Sequence, residues 1–296
     1  MKQQWIERPE GGTLFGLKLI RSFALFFGRT AGRLVLYPIT LYFLLRRGPE
    51  RRASRDYLSR VFGRRATTWE VAKHIYTFAT VILDRVFFLS GKHERFDVRM
   101  VGIDGLRERW RWGRGVLVFG AHVGSFDALR AIATLRQDVN LRVVLDIEQN
   151  PALSRVLNTL NPKLAASIIN ARQDGTTTAL AIKEALDERA IVTLLADRAR
   201  PGNNVLSVDF LGSPAPFPTA PWQLAAALKV PVVLCFGLYM GGNRYDLHFE
   251  VFEDTLAIVR KNREAALRAL IERFVERLTH HVRSAPYNWF NFYDFW

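Results

Sequence analysis

The stretch GAHVGSFDAL, residues 120–129, holds a histidine and a carboxylate, His122 and Asp127, with four residues between them. Three readings fit such a pair: an acid/base couple in which the carboxylate orients the imidazole, two ligands of a metal ion, or a polar turn without further chemistry. On a continuous helix, five residues of separation turn the second side chain about 140° away from the first. That removes two ligands on one helical face. The two side chains meet only if the segment bends, and Gly124 followed by Ser125 as N-cap supplies the bend. Asp127 then falls in the first helical turn, where negative charge is favoured. A carboxylate on one imidazole nitrogen sets the tautomer, raises basicity and stabilises the imidazolium, leaving the other nitrogen to take a proton. Ser125 does not read as a nucleophile, because HVGSFDA has Asp127 where a GxSxG motif needs its last glycine. One histidine and one carboxylate, with no second histidine clustered near, fall short of a three-ligand metal site. His74 and His93 lie outside ligand-like spacing and read as ordinary helix or loop histidines.

The elements around this block decide where His122 points. From residue 115 short β-rich runs alternate with helical ones: GVLVFG (115–120) before DALRAIATL, LRVVLD (141–146) before NPALSRVLNTL, ASIIN (166–170) before TTTALAIKEALDER, then AIVTLLAD (190–197). Near-continuous apolar strands alternating with helices predict an α/β fold with a mainly parallel sheet covered on both faces. His122 then stands at the carboxyl end of a strand, where open α/β sheets bind ligands. VLSVDFLG (205–212), the helical PTAPWQLAAALK, the strands VPVVLCFGLY and RYDLHFEVFE, and an amphipathic helix from about Asn262 to Arg283 complete the pattern. Residues 66–90 have apolar positions at helical spacing, with Thr68 as the N-cap.

Length and composition suit one α/β domain over 66–296 with an N-terminal helical region, 1–65, and no internal repeat or low-complexity linker. The formal charge of +14 is uneven: residues 1–65 carry 14 Lys+Arg against 4 Asp+Glu. A field so concentrated attracts an anionic surface. Within it, residues 14–45 are rich in Leu, Phe, Ile and Tyr but interrupted by Lys18, Arg21, Arg29 and Arg33. The longest uncharged run, Leu34 to Leu45, is too short for a spanning helix, and no cleavage site follows as in a signal peptide. A helix or helical hairpin lying among lipid headgroups fits this mixture, with arginine stems snorkelling. An amphipathic helix packed on the domain is the alternative. Nucleic-acid binding fits poorly, since no recognised module is present. The single cysteine, Cys235, lies in an apolar run and reads as a buried hydrophobe.

GAHVGSFD resembles the HxxxxD/E block of the lysophospholipid acyltransferase superfamily. Within it the chain is similar to the bacterial lipid A biosynthesis (lauroyl/myristoyl) acyltransferases, close to the acyltransferases of aryl polyene-type lipid pathways. The likeness runs through the basic apolar N-terminus, AIVTLLADRARPGNNVLSVDFLGSPAPFPTAPWQLA and the tail PYNWFNFYDFW. Arg198 stands where the family more usually has Gln or His. The resemblance implies transfer of a fatty acyl chain from a thioester, commonly acyl carrier protein, to a hydroxyl or amine of a lipid acceptor. It implies no cofactor, metal or nucleic acid, and it implies placement on the cytoplasmic face of a bacterial inner membrane. By position, His122 would be the general base and Asp127 its orienting partner. A thioester oxyanion needs a donor. The candidates are backbone N–H groups at the start of the Ser125 helix, Arg172, or Arg198, with Asp197 at the same sheet edge holding either arginine, and Gly124 and Ser125 among the substrate-binding residues. Thioester hydrolysis on the same fold is the alternative activity. An acidic carrier and a membrane surface both fit the basic N-terminus. The seven aromatics of residues 287–296 serve an acyl groove, an interfacial belt, or simply dock the tail on the core.

Overall fold

The computed structural model of the chain describes residues 14–128, 139–146, 167–171, 175–199 and 202–296. Arg172 lies outside these residues, as do most of DALRAIATL and all of NPALSRVLNTL.

Among the described residues seven strands form one sheet: β1 (Asp97–Val101), β2 (Val116–Gly120), β3 (Leu141–Leu145), β4 (Ile168–Asn170), β5 (Ile191–Leu195), β8 (Val232–Gly241) and β9 (Arg244–Glu253), in the spatial order β1-β9-β8-β2-β5-β3-β4. All neighbours are parallel except the β8–β9 hairpin. The fold is thus α/β with a mostly parallel sheet flanked by helices. β2, near the centre, is buried along its whole length. Leu117 and Phe119 pack into the core on one face with Trp222, Phe274 and Leu278, while Val116 and Val118 pack on the other with Val81, Phe87 and Tyr245. That two-sided burial is the reason the run GVLVFG shows no polar alternation.

Helices α5 (Gly175–Asp187), α6 (Ala220–Leu228) and α7 (Arg263–Ser284) follow the expected pattern. β6 (Val205–Phe210) departs from it by pairing in a separate antiparallel hairpin with β7 (Ser213–Pro218), so the following helix starts only at Ala220. Pro214, Pro216 and Pro218 alternate along β7 with the buried Ala215 and Phe217, and a two-stranded hairpin tolerates a proline row because it has open edges.

The N-terminal layer consists of α1 (Leu14–Arg46), α2 (Gly48–Phe62) and α3 (Thr68–Leu89). Thr67, not Thr68, caps α3: its hydroxyl accepts the Glu70 N–H at 3.2 Å and the Glu70 carboxylate accepts the Thr67 N–H at 2.7 Å. The shift by one residue puts Glu70 at the third helical position, as a reciprocal capping box requires. α1 kinks at Gly28, where φ is +88°. Two of its arginines, Arg29 and Arg33, do not snorkel outward but turn onto the protein. Arg29 grips Asp84, fully buried on α3, through Nε–Oδ1 (2.6 Å) and Nη2–Oδ2 (2.8 Å), and Arg33 bonds the Gly242 carbonyl at 3.1 Å. Tyr245 donates a third hydrogen bond to Asp84. With these charges turned inward, the outer side of α1 exposes Phe26, Leu34, Tyr37, Leu41 and Leu45, each by more than half. Among the described residues no helix is long and apolar enough to cross a membrane.

Candidate active site

β2 and β5 run side by side with Gly120 opposite Leu195. Two residues beyond each lie His122 and Asp197, which therefore emerge together at the carboxyl edge of the sheet. His122 Nδ1 meets Asp197 Oδ1 at 2.8 Å, and the His122 backbone N–H donates to Oδ2 at 3.0 Å. A third donor, the Trp289 indole N–H, reaches Oδ2 at 3.2 Å. Because the carboxylate only accepts, Nδ1 carries the proton and Nε2 is left with its lone pair. Nε2 makes no hydrogen bond among the described residues, and the ring is 32% exposed while Asp197 is wholly buried.

The carboxylate on the imidazole is thus Asp197, and the expected contact with Asp127 is not made. Asp127 is buried one step into the helix that opens at Phe126, and its Oδ2 accepts Arg85 Nε from α3 at 2.5 Å. The predicted bend is nevertheless present. Gly124 has φ +63°, and a Cβ there would fall 1.9 Å from the Gly237 carbonyl oxygen on β8. Ser125 caps the helix by accepting the Ala128 N–H at 3.2 Å. The Gly124 N–H donates to Asn288 and the Ser125 N–H to Gly237, at 2.8 and 2.7 Å. The Gly124 and Ser125 N–H groups are therefore already engaged within the protein.

Arg198 lies beside the pair. Its Nη2 bonds the Phe290 carbonyl at 2.7 Å, its Nε sits 3.8 Å from Asp197 Oδ2 without a hydrogen bond, and the guanidinium covers the Tyr293 ring at 5.2 Å. Removal from water lowers the His122 pKa below the usual histidine value, the Arg198 cation lowers it further, and Asp197 opposes both. Burial works to raise Asp197, but His122, Arg198 and the N–H donors outweigh it and hold the carboxyl far below its ordinary range. At neutral pH the site therefore contains an anionic Asp197 and a neutral imidazole, the form a general base needs.

Residues that spacing did not single out complete the frame. Phe290 N–H donates to the His122 carbonyl at 3.0 Å, and Val123 bridges Trp289 in antiparallel fashion. Asn288 clamps β8 through both the N–H and the C=O of Tyr239. The aromatic tail is thus docked on the core, with Trp289 inaccessible to solvent. His74 is a buried link and not an ordinary helix histidine: it bonds Ser54 at 2.8 Å and the Trp289 carbonyl at 3.0 Å. Among the described residues no group of three His, Cys, Asp or Glu side chains is placed to hold a metal. Cys235 is buried.

No curated protein matches the chain. The family model for the bacterial lipid A biosynthesis acyltransferases does match, over residues 14–296; the chain belongs to that family, and membership implies an acyltransferase acting on lipid A-type substrates.

Proposed function

We propose that the protein transfers a fatty acyl chain from a thioester, carried by an acyl carrier protein, to a hydroxyl or amine of a lipid or glycolipid at a membrane surface. The observation that carries this reading is the His122–Asp197 pair: Nδ1 is fixed as the donor, so Nε2 takes the proton as the acceptor oxygen or nitrogen attacks the thioester carbonyl. The imidazolium so formed is stabilised by Asp197 and returns its proton to the thiolate leaving group. Asp127, tied to Arg85, acts as a second carboxylate that holds the helix behind His122 against α3. Arg198 supplies positive charge for the oxyanion, since the Gly124 and Ser125 N–H groups are engaged elsewhere.

The outer face of α1 suits insertion among lipid headgroups, and the arginines of residues 46–65 suit anionic lipid or an acidic carrier. These features support a location on the inner membrane of a bacterium, at its cytoplasmic face. The test is lipid mass spectrometry of a deletion strain complemented with the native chain or with His122→Ala. The native chain restores a lipid heavier by one acyl group and His122→Ala leaves it missing; restoration by both would refute the assignment. For the membrane arm, Leu34→Asp/Leu41→Asp lowers flotation with vesicles of phosphatidylethanolamine and phosphatidylglycerol, and unchanged flotation would overturn it.

A further inference from the structure

A line of buried hydrogen bonds runs from the N-terminal helices to the base. Ser54 on α2, His74 on α3, Trp289 in the tail and Asp197 after β5 are all excluded from solvent. The Trp289 carbonyl only accepts, so His74 Nε2 carries the ring proton and Nδ1 accepts from the Ser54 hydroxyl. Burial holds His74 neutral by pushing its pKa down to about 3. His74 also stacks on Phe292 at 4.6 Å between centroids, while the Tyr57 ring packs edge-on against Trp289 at 5.0 Å. The indole is therefore fixed at its backbone and across its ring, and its one polar atom is aimed at Asp197 Oδ2.

Resting on the acyl-transfer reading above, we propose that Trp289 is a positioning residue for His122: its N–H shares the Asp197 carboxylate with the imidazole, and His74 with Ser54 holds the indole in place to do so. Oδ2 takes two N–H donors, from His122 and Trp289, leaving Oδ1 to face Nδ1 alone. A purely space-filling tryptophan would not need its N–H. The carboxylate's charge is divided among three donors, and removing one concentrates it on the other two. The imidazolium is then better stabilised and the ring more basic.

The test reads His122 itself and needs no substrate. Diethyl pyrocarbonate modifies neutral imidazole, so the pH of half-maximal modification at each histidine, read by peptide mass spectrometry on the full chain, reports its protonation. In Trp289→Phe the His122 midpoint rises by about one pH unit. An unchanged or lower His122 midpoint overturns the proposal, whatever happens to the melting temperature. If the phenylalanine variant does not fold, the sulfur isostere benzothienylalanine at 289 keeps the ring volume and removes only the N–H, and the same two outcomes decide. The underlying acyl-transfer reading fails separately, by retained lipid acylation in His122→Ala.

Discussion

Asp197→Asn tests the site most sharply, because its consequence is set by which oxygen accepts what. Asp197 Oδ2 accepts two N–H groups, from the His122 backbone and from Trp289, while Oδ1 accepts only Nδ1–H. An asparagine has one accepting end. Placing its NH2 at Oδ2 sets a donor against two buried donors, each left unsatisfied at about 1–3 kcal/mol. The amide therefore turns so that its oxygen takes the Oδ2 position and its NH2 faces Nδ1. The ring must then accept at Nδ1 and carry its proton on Nε2, the tautomer that cannot act as a base. In serine proteases the equivalent exchange lowers kcat about 10⁴-fold with the geometry intact. The same logic here gives a loss of about 10³–10⁴, or about 4–5.5 kcal/mol of transition-state stabilisation. The fold is kept, since the side chains are nearly isosteric and most hydrogen bonds persist, while stability falls because the surrounding donors and Arg198 lose the anion they hold. The assay is transfer of radiolabelled dodecanoyl chains from acyl carrier protein to lipids in membranes of the deletion strain, with a melting curve on the same preparation. Activity within threefold of the native value, in a folded variant, would refute the assignment of Asp197 as the orienting carboxylate. Asp127→Asn, measured in parallel, keeps a tautomer-competent His122 and falls less.

Arg198→Gln removes a cation that lowers the His122 pKa, so the acid limb of the pH–rate profile moves to higher pH; a limb that stays fixed counts against Arg198 as a neighbour of the base. Gly124→Ala combines a left-handed backbone, about 1–2 kcal/mol, with overlap on the Gly237 carbonyl, about 1–3 kcal/mol, and urea denaturation should show a loss of about 2–5 kcal/mol. His74 has a folded pKa of about 3 against an ordinary 6.5. Below pH 6.5 the unfolded chain binds a proton that the folded chain refuses, so stability falls by about 1.4 kcal/mol per pH unit on acidification. From pH 7 to 5 this amounts to about 2 kcal/mol, and His74→Gln should remove that part of the slope. Arg29→Ala leaves Asp84 buried without its cation and should reduce stability by about 3–5 kcal/mol; Arg29→Ala/Asp84→Leu recovers part of it.

The mainly parallel sheet was legible in the sequence because its central strands are buried on both faces and read as unbroken apolar runs. β1 and α4 (Ile103–Arg111) were not, since β1 is an exposed edge strand of mixed charge, DVRMV, with no apolar signature. β7 was hidden by its prolines. At the site, the strand-end histidine, the glycine bend and the serine cap were each readable from local spacing. The carboxylate on the imidazole was not, because spacing within one segment favoured Asp127 while the answer depends on strand order. Only the adjacency of β2 and β5 brings residues 122 and 197 level. The strand pattern puts Asp197 at the correct edge but carries no sign of its neighbour there. Trp289 and His74 carry no local signal at all, since a backbone-mediated link across 215 residues leaves no periodicity behind.

The inward grip of Arg29 has a consequence for how the chain is made. Its acceptors are Asp84, 55 residues later, and the Gly242 carbonyl, 213 residues later. During translation α1 leaves the ribosome before α3 is made and long before the β8–β9 hairpin exists, so the Gly242 contact waits longest. Contacts of such long sequence separation form late, and apolar helices left waiting tend to aggregate. If the outer face of α1 docks on lipid as proposed, a nascent chain whose α1 meets lipid early would be sheltered through that interval.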